Sequence, residues 1–295
     1  MSRIHEALKR AEIELGIGNT MKTSPVSGEP LAAAQKWVAP AAVQITSKPS
    51  VLDTVPLDFD RLLAICPHFR WQPRSDANVF ETGSDRSGCA EQFRSLRFKL
   101  DHLRDSQPLR TLVVTSAAPS EGKTFVVANI AQAVGGQPDR RVLVIDADLR
   151  CSTLHKALGA PLAPGLTEYL RGEAEECKVI QVGEFGSNTN ICLIPGGTKV
   201  NNPTELLSNG RMKSLLNRVI PAFDWVIIDS PPCLPVADAS ILADIADGVL
   251  FVVRAGATSS NLVRKAQQVH KSKLVGVVLN ATERKALYRS RQYSY

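Results

Sequence analysis

The 295-residue sequence has no apolar run approaching the roughly 18 to 20 residues that span a membrane. Its start, MSRIHEALKRAEIELG, is charged throughout and lacks the apolar stretch of a secretory signal, so a soluble, cytoplasmic chain is expected. Six cysteines (Cys66, Cys89, Cys151, Cys177, Cys192 and Cys233) include no C-x-x-C pair and do not cluster with the five histidines. Neither a zinc site nor a redox pair is therefore predicted. A formal charge of +6 permits weak attraction to anionic surfaces, but no basic helix or basic-aromatic patch is present, and nucleic acid is not an expected partner. Tyrosine is scarce: three of only four, Tyr288, Tyr293 and Tyr295, fall in the last eight residues. A tyrosine ring favours burial or an interface. Three of them separated by Arg, Ser and Gln at a terminus have no evident core to join, and alone they read as a frayed end.

What the chain does have is 44% hydrophobic residues, enough for a sizeable core. Residues 1–18 place Ile4, Leu8, Ala11 and Leu15 at helical spacing, with Ser2 to cap and Gly16 to stop an amphipathic helix. A helix so short is marginal in water, so it either docks or frays. Residues 19–85 are rich in Pro, Ser, Ala and Thr and read largely as a flexible linker, with one short helix over Leu57 to Ile65 and a loop over Pro67 to Gly88. The domain itself is placed at 86–282, beginning with a helix over Cys89 to Leu103, and the tyrosine-rich tail at 283–295.

Six apolar, β-rich runs follow: Thr111 to Ser116, Arg141 to Asp146, Asn190 to Pro195, Trp225 to Asp229, Val249 to Arg254 and Leu274 to Asn280. Near-continuous apolar runs suit strands buried on both faces of a parallel sheet. An α/β fold with a mostly parallel central sheet and helices on both faces is expected. Ligands of such sheets sit beyond the carboxyl ends of the strands, so the polar residues there are the candidates for chemistry.

The first run ends in Ser116-Ala117-Ala118-Pro119-Ser120-Glu121-Gly122-Lys123-Thr124, and a helix is predicted from Phe125 to Ala133. This is the G-x-x-x-x-G-K-[ST] phosphate loop with Ala117 at its first glycine. Backbone N–H groups and the positive helix end, about half an elementary charge, would cradle phosphates. Residues 118–125 are thus the candidate nucleotide contacts. Lys123 would neutralise the β and γ phosphates, and the Thr124 hydroxyl would face magnesium.

Three carboxylates leave the ends of other strands: Asp146 and Asp148, two apart, and Asp229 after an apolar run in the manner of a Walker B acid. A lone aspartate there can simply cap the next helix. Gathered near magnesium, one can hold metal while another accepts a proton from an attacking hydroxyl. Spacing does not assign these roles; Asp146 is favoured as the base, with Asp148 and Asp229 on the metal side. Asn202-Pro203-Thr204-Glu205 reads instead as a helix start, with Asn as cap, Pro in the first position and Glu205 closing a capping box.

Together the phosphate loop, Asp146-x-Asp148-x-Arg150 and Asp229-Ser-Pro-Pro resemble the bacterial tyrosine kinases of capsular and exopolysaccharide synthesis. Leu154-His-Lys, Asp238-Ala-Ser, Val253-Arg-Ala-Gly-Ala-Thr258 and the terminal tyrosines extend the likeness over about residues 89 to 295. The resemblance implies a MinD/ParA-like P-loop NTPase fold using ATP and Mg2+, without the H-R-D and D-F-G sets of eukaryotic protein kinases. It implies autophosphorylation of Tyr288, Tyr293 and Tyr295 in a homo-oligomeric ring, with a membrane-bound polysaccharide co-polymerase or chain-length regulator as activator. A tyrosine phosphatase would be the opposing partner, and membrane association would be indirect, through the activator, at the inner face of the plasma membrane.

Glu91, Arg94 and Arg97 match the family's E-x-x-R-x-x-R assembly motif, and the resemblance implies a subunit interface; without it, Glu91 and Arg94 would read as a routine surface pair. Asn280 is implied to contact the nucleotide base, or else merely ends its strand. Ser152 stands where many relatives have proline. A MinD- or ParA-like positioning ATPase is the nearest alternative, yet such proteins carry a second lysine five residues before the invariant one, where this chain has Ala118. A scaffold that only binds nucleotide remains the third reading, against which stands the full set of Lys123, Thr124, Asp146, Asp148 and Asp229.

Overall fold

A computed structural model of the protein describes residues 58–80, 87–185 and 188–282. The expected helix over 1–18 and the tail with Tyr288, Tyr293 and Tyr295 lie outside the described residues. In chain order the elements are α1 (Phe59–Ile65), β1 (His68–Phe69), α2 (Ser87–Ser106), β2 (Thr111–Ser116), α3 (Lys123–Gly135), β3 (Val142–Asp146), α4 (Leu154–Leu158), α5 (Leu166–Arg171), α6 (Glu176–Val179), β4 (Gln181–Phe185) and β5 (Asn188–Ile194). There follow α7 (Pro203–Ser208), α8 (Arg211–Val219), β6 (Trp225–Asp229), α9 (Asp238–Ile245), β7 (Gly248–Arg254), α10 (Ser260–Val269) and β8 (Leu274–Asn280).

Eight strands form one sheet in the order β1-β4-β5-β3-β6-β2-β7-β8. Every pairing is parallel except β4 with β5. All six expected strands are present, because β2, β3 and β6 are buried at every position and had to be apolar throughout. Two further strands, β1 and β4, carried too weak a signal. The first has two residues, and the second, QVGEF, interrupts its apolar pattern with Gln, Gly and Glu. Gly183 is needed there, since a Cβ would meet the Trp71 ring at 2.5 Å.

The expected domain start at residue 86 is too late. Phe59, Leu62 and Cys66 are buried in the same core as β3 and β6, and the Phe59 ring meets Phe223 edge-on at 5.5 Å. Trp71 and Val79 are buried with α3 and the other face of the sheet. Polar composition around these few anchors had disguised a segment that packs. No helix among the described residues is long and apolar enough to cross a membrane.

Candidate functional site: a phosphate loop facing paired carboxylates

Strand β6 lies between β3 and β2, so the carboxyl ends of all three emerge side by side. Their register sets Asp146 directly beside Asp229, and Val114 on the other flank of Asp229. Two residues onward from Val114, Ser116 hands the chain to the phosphate loop. Side chains at paired positions of a parallel sheet share a face, so the two carboxylates are neighbours by construction.

The loop is strapped from within. Glu121 is buried, and its carboxylate accepts from the Ala118 N–H at 2.9 Å and from the Thr258 hydroxyl. Arg254 donates to the Ser120 carbonyl at 3.2 Å, and the Asn280 amide donates to the Glu121 carbonyl at 2.9 Å. Ser120 and Gly122 take positive φ values of 62° and 94°, folding the loop back on itself. At Gly122 a side chain would run into the Asn280 amide, so glycine is required by both the dihedral and the close approach. Gly122 starts α3, whose first N–H groups have no partner of their own within the helix and form the cradle. Lys123 is buried at the head of that helix.

Several of the expected nucleotide contacts also have roles within the fold. The Glu121 side chain points into the fold and leaves only its backbone for a ligand. The Ala118 N–H is already taken by Glu121. Phe125 turns its ring to Phe93 of α2, with centroids 5.8 Å apart, and serves packing. Asn280 does more than end a strand, because its amide holds the loop. Arg254 and Thr258, noted in the sequence only as part of a resemblance, are loop supports; a polar pair just past an apolar strand was the available signal.

Around the carboxylates, the Thr124 hydroxyl donates to Asp229 Oδ2 at 2.6 Å and lies 3.4 Å from the Thr153 hydroxyl. Asp146 Oδ2 accepts from the Ser152 hydroxyl at 2.6 Å and from the Leu154 N–H at 3.1 Å. Ser152, flagged in the sequence only as a departure from proline, is thus a direct partner of the favoured base. Gly196 makes room for it, since a Cβ there would meet Ser152 Oγ at 2.5 Å. Asp148 is half-buried and spends Oδ1 on the Cys151 N–H at 3.0 Å, capping the turn.

Burial pushes the Asp146 carboxyl up to about 7, against the lowering pull of the Ser152 and Leu154 donors. Burial, then the adjacent Asp146 charge, raise Asp229 well above the usual carboxylate range, while Thr124 and Lys123 oppose the shift. Asp146 Oδ1 and Asp229 Oδ1 are buried without any hydrogen-bond partner. Two orphaned acceptors next to a hydroxyl fit a hard divalent cation, which prefers such oxygens. Among the described residues no group of three or more His, Cys, Asp and Glu side chains forms a cage. That also fits magnesium, which takes one or two carboxylates and fills its remaining positions with water and phosphate oxygens.

Arg150 forks onto buried Asp238 at 2.8 and 3.2 Å and reaches the Thr204 hydroxyl at 2.8 Å. This ties the end of β3 to the starts of α7 and α9. The expected capping box at 202–205 is replaced: the Asn202 amide donates to Glu205 at 2.5 Å, and Asn202 makes no side-chain bond to the helix backbone. Of the three assembly residues, Glu91 and Arg94 are exposed and pair with each other at 2.9 Å. Arg97 is turned inward instead, donating to the Ala133 carbonyl at 3.0 Å near the end of α3, where a cation suits the helix dipole.

A strapped phosphate loop, a buried lysine and two abutting carboxylates define a P-loop nucleotide-binding domain equipped for phosphoryl chemistry. A family model described as an AAA domain matches residues 110–275. The chain is 35% identical over 225 residues to tyrosine-protein kinase YwqD of Bacillus subtilis, covering 75% of this chain and 92% of that protein. It is 36% identical over 210 residues to tyrosine-protein kinase etk of Escherichia coli K12, spanning 70% of this chain but 28% of that longer protein. With the succinoglycan biosynthesis transport protein ExoP of Rhizobium meliloti it shares 35% identity over 204 residues, 67% of this chain and 25% of ExoP. The solved kinase domain of Escherichia coli ETK superposes with a TM-score of 0.59 at 32% identity, covering 70% of this chain and 79% of that one. MinD of Pyrococcus horikoshii, at 22% identity and a TM-score of 0.50, shares the fold. The chain belongs to the bacterial tyrosine-kinase family and is a P-loop protein-tyrosine kinase.

Proposed function

We propose that the chain transfers the γ-phosphoryl group of Mg-ATP to Tyr288, Tyr293 and Tyr295 of its own tail, between subunits of an oligomer. The observation that carries this reading is the pairing of Asp146 with Asp229 opposite the phosphate loop. Bound magnesium would neutralise phosphate charge between Thr124, Asp229 and Asp148. Lys123 attracts the β and γ phosphates, and the α3 N-terminus holds them in line. Asp146 accepts the proton as the tyrosine oxygen bonds to phosphorus and the bond to the departing ADP breaks. An acceptor near 7 is well matched to that transfer at neutral pH. Asn280 places the nucleotide indirectly, through its hold on the loop, and would be a contact for the base.

From Asn280 to Tyr293 an extended chain spans at most about 45 Å, enough to reach an adjoining subunit. Glu91 and Arg94 supply the exposed polar part of the contact between copies. The relatives named for succinoglycan transport and for tyrosine kinase activity support a role in regulating exopolysaccharide or capsule polymerisation and export. A membrane-bound co-polymerase would then be the activator and a tyrosine phosphatase the antagonist, with membrane attachment through the co-polymerase. From residue 283 the tail carries Arg284, Lys285, Arg289 and Arg291 against Glu283, a net of +3. Each phosphate adds about −1.5 to −2, so full modification reverses its sign and releases it from an acidic, ATP-loaded site.

The direct test is incubation of the purified chain and the co-polymerase with labelled ATP and magnesium, followed by phosphosite mapping. Phosphate on the three tail tyrosines is expected. ATP hydrolysis with an unmodified tail would point to a nucleotide-driven switch instead. Mixing a Lys123→Met subunit with an active subunit truncated after Thr282 separates the routes; absence of label on the intact tail excludes transfer between subunits.

A further inference from the structure

The two edges of the sheet are treated differently. At one edge β1 is only two residues long, too short to template another strand. At the other, β8 runs for seven residues with no proline and no charged side chain, and among the described residues it pairs only with β7. The Asn280 carbonyl points inward, accepting from the Ala255 N–H at 2.8 Å. By strand alternation the N–H and C=O groups of Val277 and Leu279 point outward. Their side chains are also exposed, 48% and 58%, as is Val269 at the end of α10. An open, apolar edge of this length is one that proteins ordinarily blunt.

Charge selects the occupant. From Gly248 to Thr282, the unit β7-α10-β8 contains Arg254, Arg264, Lys265, Lys271 and Lys273 and not one Asp or Glu. Its net of +5 nearly equals the +6 of the whole chain. A second copy of β8 would bring the same basic unit against itself. The chain's own tail carries a net +3 and is repelled in the same way. We propose that the β8 edge receives an extended, acidic segment of a partner protein as a ninth strand. Outward backbone groups of Val277 and Leu279 supply the ladder, their side chains pack against alternate apolar residues of the segment, and Arg264, Lys265 and Lys271 meet its carboxylates.

The experiment uses the full chain and a fluorescein-labelled decapeptide in which valine and threonine alternate with glutamate. The control is the same peptide with lysine for glutamate. Fluorescence anisotropy measures affinity, and hydrogen exchange follows the amides of β8. The acidic peptide should bind about tenfold or more tighter than its lysine counterpart and protect the Val277 and Leu279 amides. Val277→Pro removes one outward donor at a position that edge strands tolerate and should weaken binding about tenfold. Val277→Thr keeps the donor and should bind nearly as wild type.

If Val277→Pro fails to fold by circular dichroism, the double variant Arg264→Glu/Lys265→Glu takes its place and should also lose the peptide. Equal affinity for both peptides would overturn the proposal, as would binding without protection of β8, or wild-type affinity in folded Val277→Pro or in Arg264→Glu/Lys265→Glu. Phosphatidylserine vesicles that displace the peptide while β8 stays unprotected would overturn it in favour of a lipid surface. Tail phosphorylation assayed alongside keeps this outcome separate from that of the autokinase reading.

Discussion

Strand β6 is bracketed by two aspartates that the protein keeps in opposite states. Asp224, just before the strand, accepts from the Arg141 N–H at 2.9 Å, from Arg140 at 3.2 Å and from Arg104 at 3.3 Å. Burial alone would raise its carboxyl, but these donors hold it below the usual range. Asp229, at the far end, is raised by burial and by Asp146, and one of its oxygens has no partner. Asp229 is fully buried and Asp224 partly so; what separates them most is how many donors meet them. A carboxylate with its lone pairs filled fastens the bottom of the sheet, while one left short of donors at the top is ready for a cation or a proton.

The largest break in this contrast is expected from Asp146→Asn. Removing the proposed proton acceptor should cost at least about 100-fold in tail phosphorylation, measured with labelled ATP, while the metal-free protein melts no lower than wild type. Asp224→Asn should do the reverse. It should leave the per-molecule rate intact and lower unfolding stability by about 1.5 to 3 kcal/mol, the usual worth of hydrogen bonds to a charged group, read from urea titration.

A pH series sharpens the same point. Asp146 holds its proton up to about 7 in the fold but only to its ordinary 3.8 when unfolded. The stability it contributes is complete below about pH 4 and is lost as pH rises through 7. In EDTA, wild type should therefore lose stability between pH 5 and 7 relative to Asp146→Asn. His155 and His270, lowered by burial, are common to both proteins and cancel in the difference. The smallest effect belongs to Ser152→Ala. Losing a donor to Asp146 should raise that carboxyl further and move the acid limb of the rate–pH profile upward, with a rate change of only several-fold at pH 7. An unmoved limb would show that Ser152 serves packing alone.

The parts legible in the sequence were those set by one continuous stretch of chain. Strands buried on both faces had to be apolar, and the phosphate loop is a local device whose Gly122, Lys123 and Thr124 announce it. Hidden from view were features that depend on distant residues meeting. Glu121 looked like a loop residue facing ligand until Thr258, 137 positions away, took its carboxylate inward. Arg97 matched an assembly motif by spacing, yet the Ala133 carbonyl lay within its reach. The segment from Phe59 to Val79 was obscured because a handful of anchors among polar residues shows no periodicity.

The grip of Asn280 on the Glu121 carbonyl has a consequence for competition among substrates. It roots the tail, two residues after the strand, beside the loop that holds the nucleotide. Under the proposed autokinase function, a leash so short would make the tyrosines resident rather than visiting reactants, at an effective concentration of the order of millimolar for a flexible tether that can span the gap. In the proposed assembly of such subunits each leash would keep neighbouring sites occupied. Free peptides at micromolar levels would then wait until the resident tyrosines have been spent.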